Sequence, residues 1–183
     1  LDALGGSQLG WRFLASRLME NSVQTPGSPV IDDRAGQISG LFPFPKNRVT
    51  TSLSYAVGRF STVLQVRWID GGLLDRTFVE SDVPIPASQR PAGSNLALCN
   101  NSANICTIDD NTLPSTTYVD ARVGAVFGQE QQLEVFANIN NLFDREPVIA
   151  PGAIGRTGDG LGINSGLYDI LGRRPTVGVN YTF

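Results

Sequence analysis

The stretch Thr176-Val-Gly-Val-Asn-Tyr-Thr-Phe183 alternates without a break: Val177, Val179, Tyr181 and Phe183 point one way, and Thr176, Gly178, Asn180 and Thr182 the other. Successive side chains of an extended chain take opposite faces, so this period predicts a strand with one apolar face and one polar or small face. Two environments ask for such a strand. A soluble sheet turns its apolar side to a protein core, whereas a membrane barrel turns it to lipid and lines its lumen with polar groups.

Working outward, five more segments alternate in the same way, and the expected fold is all-β and antiparallel. The six expected strands span about 9–20, 47–57, 60–70, 116–127, 131–141 and 172–183. In the first, Leu9, Trp11 and Phe13 oppose Arg12 and Ser16, although Leu14 and Leu18 blur the phase. Gly58-Arg59 joins the second and third as a tight hairpin; glycine at the first central position suits a type II′ turn. Pairing Val57 with Phe60 then sets Tyr55 opposite Thr62 and Leu53 opposite Leu64. A second hairpin turns over Gly128–Gln132, and its register puts inward Phe136 across from Gly124, whose missing side chain leaves the ring room.

Between these strands lie long stretches, about 21–46, 71–115 and 142–171, rich in Pro, Gly, Asn, Asp and Ser. Structureless loops of that length count against a compact soluble domain. In an outer-membrane barrel they are expected, because periplasmic turns are short and outer loops long. With a periplasmic carboxy-terminus, strand parity puts the turns near Gly58 and Gly128 on the periplasmic side and every long loop outside. Trp11, Tyr55, Phe60, Phe127, Tyr181 and Phe183 then gather at the periplasmic ends of the apolar face, as an interfacial girdle does, with Trp68 at the other rim. The competing reading is a soluble β-sandwich binding carbohydrate or protein, with these aromatics in its core.

Composition narrows the function classes. A net charge of −3 with no basic cluster argues against nucleic-acid binding. No apolar run reaches the ~18 residues of a membrane helix, a test that barrel strands evade. The chain opens Leu1-Asp-Ala-Leu without a signal segment, although export needs one, and reads as a fragment whose beginning is missing.

Thr176, Gly178, Tyr181 and the terminal Phe183 fill a pattern that resembles the signal read by the barrel-assembly machinery of the bacterial outer membrane. Leu133-Glu-Val-Phe-Ala-Asn-Ile-Asn-Asn-Leu-Phe-Asp-Arg-Glu-Pro147 resembles the penultimate strand of TonB-dependent outer-membrane receptors, and Tyr168-Asp-Ile-Leu-Gly-Arg-Arg-Pro-Thr-Val-Gly-Val-Asn-Tyr-Thr-Phe183 resembles their closing strand. Weaker likeness runs back through Tyr118-Val-Asp120, Arg67-Trp68 and Ala35-Gly-Gln37. The resemblance implies a barrel of about 22 antiparallel strands around an amino-terminal plug. It implies active import of a scarce nutrient, such as an iron-siderophore complex, cobalamin or an oligosaccharide, driven by TonB. Residues 1–183 are then the carboxy-terminal part of the barrel domain, its last six strands, without the plug. TonB would act only through the missing amino-terminal region, and the partners of this part are outer-membrane lipid, the assembly machinery and the nutrient. The role is non-enzymatic.

Cys99 and Cys106 share the longest loop, and an even count in an exported loop favours a disulfide over free thiols or a metal pair. No histidine is present, which removes Ser-His-Asp and Cys-His catalysis and most zinc sites, and no cofactor is expected. Asp32-Asp33 and Asp109-Asp110 read as solvated loop charges, with loosely held calcium as the alternative. On the lumen face, Arg48, Arg67, Asp120, Arg122, Glu134, Asn138, Asn140 and Arg174 are candidates for plug or ligand contact, or for mutual hydrogen bonding along a wet wall. Phe42, Phe44, Arg76, Arg90 and Arg156 in the outer loops are open to ligand contact.

Overall fold

A computed structural model describes residues 6–24, 26–27, 29, 31–39, 42–74, 76, 79–81, 107–128, 132–149 and 162–182. Cys99, Cys106, Arg90, Arg156 and Phe183 lie outside the described residues, as does the side chain of Phe42. The fold is all-β, with no helix among the described residues. Its body is a six-stranded sheet of β1 (Gln8–Arg17), β2 (Asn47–Val57), β3 (Phe60–Ile69), β4 (Thr116–Phe127), β5 (Leu133–Asn140) and β6 (Arg174–Tyr181). Each strand pairs with its neighbour in sequence, always antiparallel, so the sheet is a meander. It is not closed: β1 and β6 each pair on one side only.

The first hairpin has the expected register, with Val57 opposite Phe60, Tyr55 opposite Thr62 and Leu53 opposite Leu64. Gly58 takes a φ of 57° and Arg59 has no positive φ, the combination a type II′ turn requires. The meander carries the Gly58 and Gly128 turns to one end and the three long connections to the other.

Phe136 corrects one expectation. It does pair with Gly124, but it pairs on its other side with Gly178, and the ring leans over the latter. A Cβ on Gly178 would stand 2.4 Å from Phe136 Cζ, whereas one on Gly124 would meet Ser61 and Glu134 instead. Gly178 is therefore the seat of the ring, and it joins the closing strand to its neighbour.

The long connections also differ from the structureless loops read in the sequence. They contain short ladders: Ser22–Gln24 with Ile31–Asp33, Ile38–Ser39 with Phe42–Pro43, Gly72–Leu73 with Thr112–Leu113, and Val79–Glu80 with Thr107–Ile108. The last of these is parallel, against the uniformly antiparallel expectation. These segments fold together against the sheet. Ile38, Leu74, Leu113, Val148, Leu167 and Tyr168 pack with Ile69 and Tyr118 as the buried cluster of the molecule. Ile69 and Tyr118 belong to the face opposite the apolar one, at the long-connection end, so this hub of loops covers that end of the polar face. Backbone bonds knit it further, Leu73 N–H donating to Gly36 O at 2.9 Å and Leu74 N–H to Asn111 O at 2.8 Å.

Candidate functional site

The two faces of the sheet divide its chemistry. On one face, Leu9, Trp11, Phe13, Leu53, Tyr55, Phe60, Leu64, Val123, Phe127, Val135, Val177, Val179 and Tyr181 are all exposed, Val177 by 80% and Trp11 by 73%. Their register places them in continuous cross-strand rows. The indole of Trp11 and the hydroxyls of Thr51 and Thr62 on this face are satisfied within the sheet: Trp11 Nε1 donates to Thr51 Oγ1 at 2.9 Å, Thr51 Oγ1 to Arg12 O at 3.1 Å, and Thr62 Oγ1 to Arg122 O at 3.1 Å. That is what a surface without access to water requires. Between the bulky side chains, small Ala125 and Ala137 leave a shallow depression of 390 Å³ walled by Phe60, Phe127, Val135 and Val177.

On the other face the candidate residues meet each other. Glu134 is a hinge between three strands: Arg122 donates to its Oε1 at 2.7 Å and Asn180 to its Oε2 at 2.9 Å. The Arg122 guanidinium also lies 4.1 Å over the Phe136 ring, a cation–π contact that completes a stack of Arg122, Phe136 and Gly178. Arg67 donates to Asp120 Oδ2 at 3.2 Å and lies over the ring of Tyr118 at 5.4 Å. Asn138 donates to Asn140 at 3.0 Å. Arg174 grips Asp169 with both terminal nitrogens, at 2.7 and 3.0 Å. The fork holds the Asp169 carboxyl below its ordinary pKa, with help from the Leu171 N–H. Arg48 stands apart, donating to the carbonyl of Pro43 at 3.2 Å.

The Asn140-Asn-Leu-Phe-Asp144 segment acquires a physical reason. Asn141 is fully buried and adopts a φ of 53°, a left-handed conformation asparagine tolerates better than most residues. Its side chain accepts from Arg145 N–H at 2.8 Å and donates to Arg145 O at 3.0 Å, and its own N–H donates to Asp120 Oδ1 at 2.8 Å. Asp144 then accepts from Arg173 N–H at 2.8 Å, tying the end of β5 to the start of β6. The closing motif contributes Tyr168 to the hub and Asp169 to the fork. Tyr168 is 3% exposed, and its hydroxyl has no hydrogen-bond partner among the described residues; burial pushes its pKa up to about 12.

Asp33 and Asp110 are solvated loop charges with local hydrogen-bond partners. Asp33 accepts from Asn21 N–H at 3.1 Å and Ala35 N–H at 3.0 Å, and pairs with Arg76 at 3.3 Å. Those bonds hold its carboxyl below the usual range, the Ala35 N–H most of all. Asp110 caps a turn through the Thr112 N–H and hydroxyl at 2.7 and 2.6 Å. Among the described residues no cluster of carboxylates has the makings of a metal site. Thr176 and Gly178 lie on the polar face of β6 and Tyr181 on its apolar face. The residues sequence reasoning missed are the partners of the polar face: Asp169, which Arg174 grips, and Asn141, whose N–H donates to Asp120. Comparison with protein-family models, with curated proteins and with solved structures finds no match to this chain.

Proposed function

We propose that this chain forms part of the wall of an outer-membrane β-barrel and, on the resemblance carried by 133–147 and 168–183, the carboxy-terminal part of a TonB-dependent receptor. In that reading the protein is a transporter for a scarce nutrient, with lipid on the apolar face, the transport path on the polar face and the loop hub on the cell exterior. The observation that carries it is the apolar face itself. A soluble sheet of this size would cover such a face with a second sheet, yet Trp11, Phe60, Val177 and Val179 are each more than half exposed. Water is a poor solvent for that surface, and the internally satisfied Trp11 and Thr51 do not call for it. The free edges of β1 and β6 fit the same reading, since a barrel built with further strands leaves no edge unpaired.

Fractionation of cells making the whole protein provides the test. The protein should sediment with outer membranes, resist carbonate extraction, and run faster on unboiled than on boiled gels, as folded barrels do. Recovery from the soluble fraction without detergent would reject the membrane reading. Nutrient uptake that persists without TonB would reject the transport mechanism while leaving the barrel intact.

A further inference from the structure

On the polar face Arg67 is paired with Asp120, Arg122 with Glu134 and Arg174 with Asp169. The corner where β1 and β2 run out beneath Pro43–Pro45 is different. There Ser16, Lys46 and Arg48 line a pocket of 290 Å³ together with Leu18 and Phe44. Ser16 and Arg48 are direct cross-strand partners, and the Leu18 N–H bond to Lys46 O, 2.8 Å, extends the ladder so that Lys46 follows Arg48 on the same face. Neither cation has a carboxylate within ion-pair distance among the described residues. The nearby loop carboxylates have closer partners: Asp33 bonds Asn21, Ala35 and Arg76 and feels Lys46 only through space, and Asp70 holds the Asn47 amide.

Lys46, the only lysine of the chain, is also held in place. Its stem lies along Gly36, where a Cβ would come within 3.2 Å of Lys46 Cε. Lys46 and Arg48 are like charges two residues apart on one face, and an anion bound between them is attracted by both. A guanidinium fork beside an ammonium and a hydroxyl is a donor set suited to phosphate or carboxylate oxygens.

We propose that this pocket binds a small soluble polyanion bearing phosphate or carboxylate groups, with Lys46 and Arg48 supplying charge and Ser16 a hydroxyl donor. A lipid headgroup shares that chemistry, but Ser16, Lys46 and Arg48 lie on the face opposite the exposed apolar rows, although Arg17, which also lines the pocket, lies on the apolar side. The site stands on the ends of β1 and β2 and does not rest on the membrane reading.

The peptide that carries Lys46 reports on the site by itself. The Lys46 amine of the folded, full protein is acylated with an amine-reactive ester and the modified peptide quantified by mass spectrometry. Inorganic phosphate or citrate should slow the reaction about tenfold as the site fills to about nine-tenths, against sodium chloride at equal ionic strength. Arg48→Gln should abolish that protection, read as the ratio of rates with and without the anion in the same variant, and Arg48→Lys should restore part of it. Equal slowing by chloride, protection undiminished in Arg48→Gln, or protection by anionic phospholipid vesicles but by neither free anion would each overturn the proposal. Should Arg48→Gln fail to fold, the phosphate-against-chloride comparison on the unaltered protein still decides it.

Discussion

The two faces of the sheet are built from the same strands and held by different physics. The polar face is cross-linked: Glu134 ties three strands, Asp120 ties β3 to the Asn141 turn, Asp169 clasps Arg174, and a packed hub closes one end. On the apolar face most contacts are rows of aliphatic and aromatic side chains, with hydroxyl and indole hydrogen bonds turned back into the sheet. One face derives its order from specific partners and the other from the medium it meets. Substitutions should therefore be judged by face and by partner.

The largest effect is expected where the medium decides. Val179→Arg, on the apolar face of β6, should cost about 2 to 4 kcal/mol in a refolding titration into lipid, and Asn180→Arg, one residue on, far less. Equal costs would erase the distinction between the faces.

The next effect tests a specific partner. Gly178→Val drives a side chain into the Phe136 ring, whose Cζ stands 2.4 Å from the Cβ position, and should cost about 1 to 3 kcal/mol. Combining it with Phe136→Ala should cost less than the two changes separately, because the clash disappears with the ring. Strict additivity in the double-mutant cycle would show that the ring is seated elsewhere.

A smaller effect is expected from the Asp169 clasp. Its carboxyl has a folded pKa below the ordinary 3.8, so its contribution is complete above that value and is lost as pH falls through the folded value. Asp169→Asn should remove about 1 kcal/mol at neutral pH and flatten acid destabilisation of the hub, read as protease sensitivity of residues 162–173. An acid profile unchanged by the substitution would place that sensitivity in other carboxylates.

Least of all is expected from Tyr168→Phe, which removes a buried hydroxyl without a partner and should leave stability unchanged or raise it slightly. In the parent, stability of the hub should be full below pH 10 and decline as pH rises towards about 12, since the folded pKa is raised. That alkaline decline should be weaker in the variant. A clear loss of stability at neutral pH would mean that the hydroxyl has a partner.

The strands were legible because a period of two is a local signal: Val49 to Val57 and Val119 to Phe127 declare their faces without reference to anything distant. The Gly58 hairpin was legible for the same reason, its register following from a two-residue turn. The hub was not. Ile38, Leu74, Leu113, Val148 and Leu167 stand singly among Gly, Pro and Asn, and what joins them is the return of three connections to one end of the sheet. The hairpin register gave Phe136 only Gly124; the pairing with Gly178 and the direction of the ring come from the strand beyond, which the hairpin leaves open. The polar candidates were found as a group, but their partners were not: Asp169 and Asn141 come from connections.

The central claim is that the apolar face meets lipid. With Cys99 and Cys106 replaced by serine, nitroxide labels at Val179→Cys and Asn180→Cys in bilayer-reconstituted protein read it directly through collisions with oxygen, which favours lipid, and with a water-soluble nickel chelate. The label at 179 should collide mainly with oxygen and the label at 180 mainly with nickel. Nickel-dominated collisions at 179 would contradict the account.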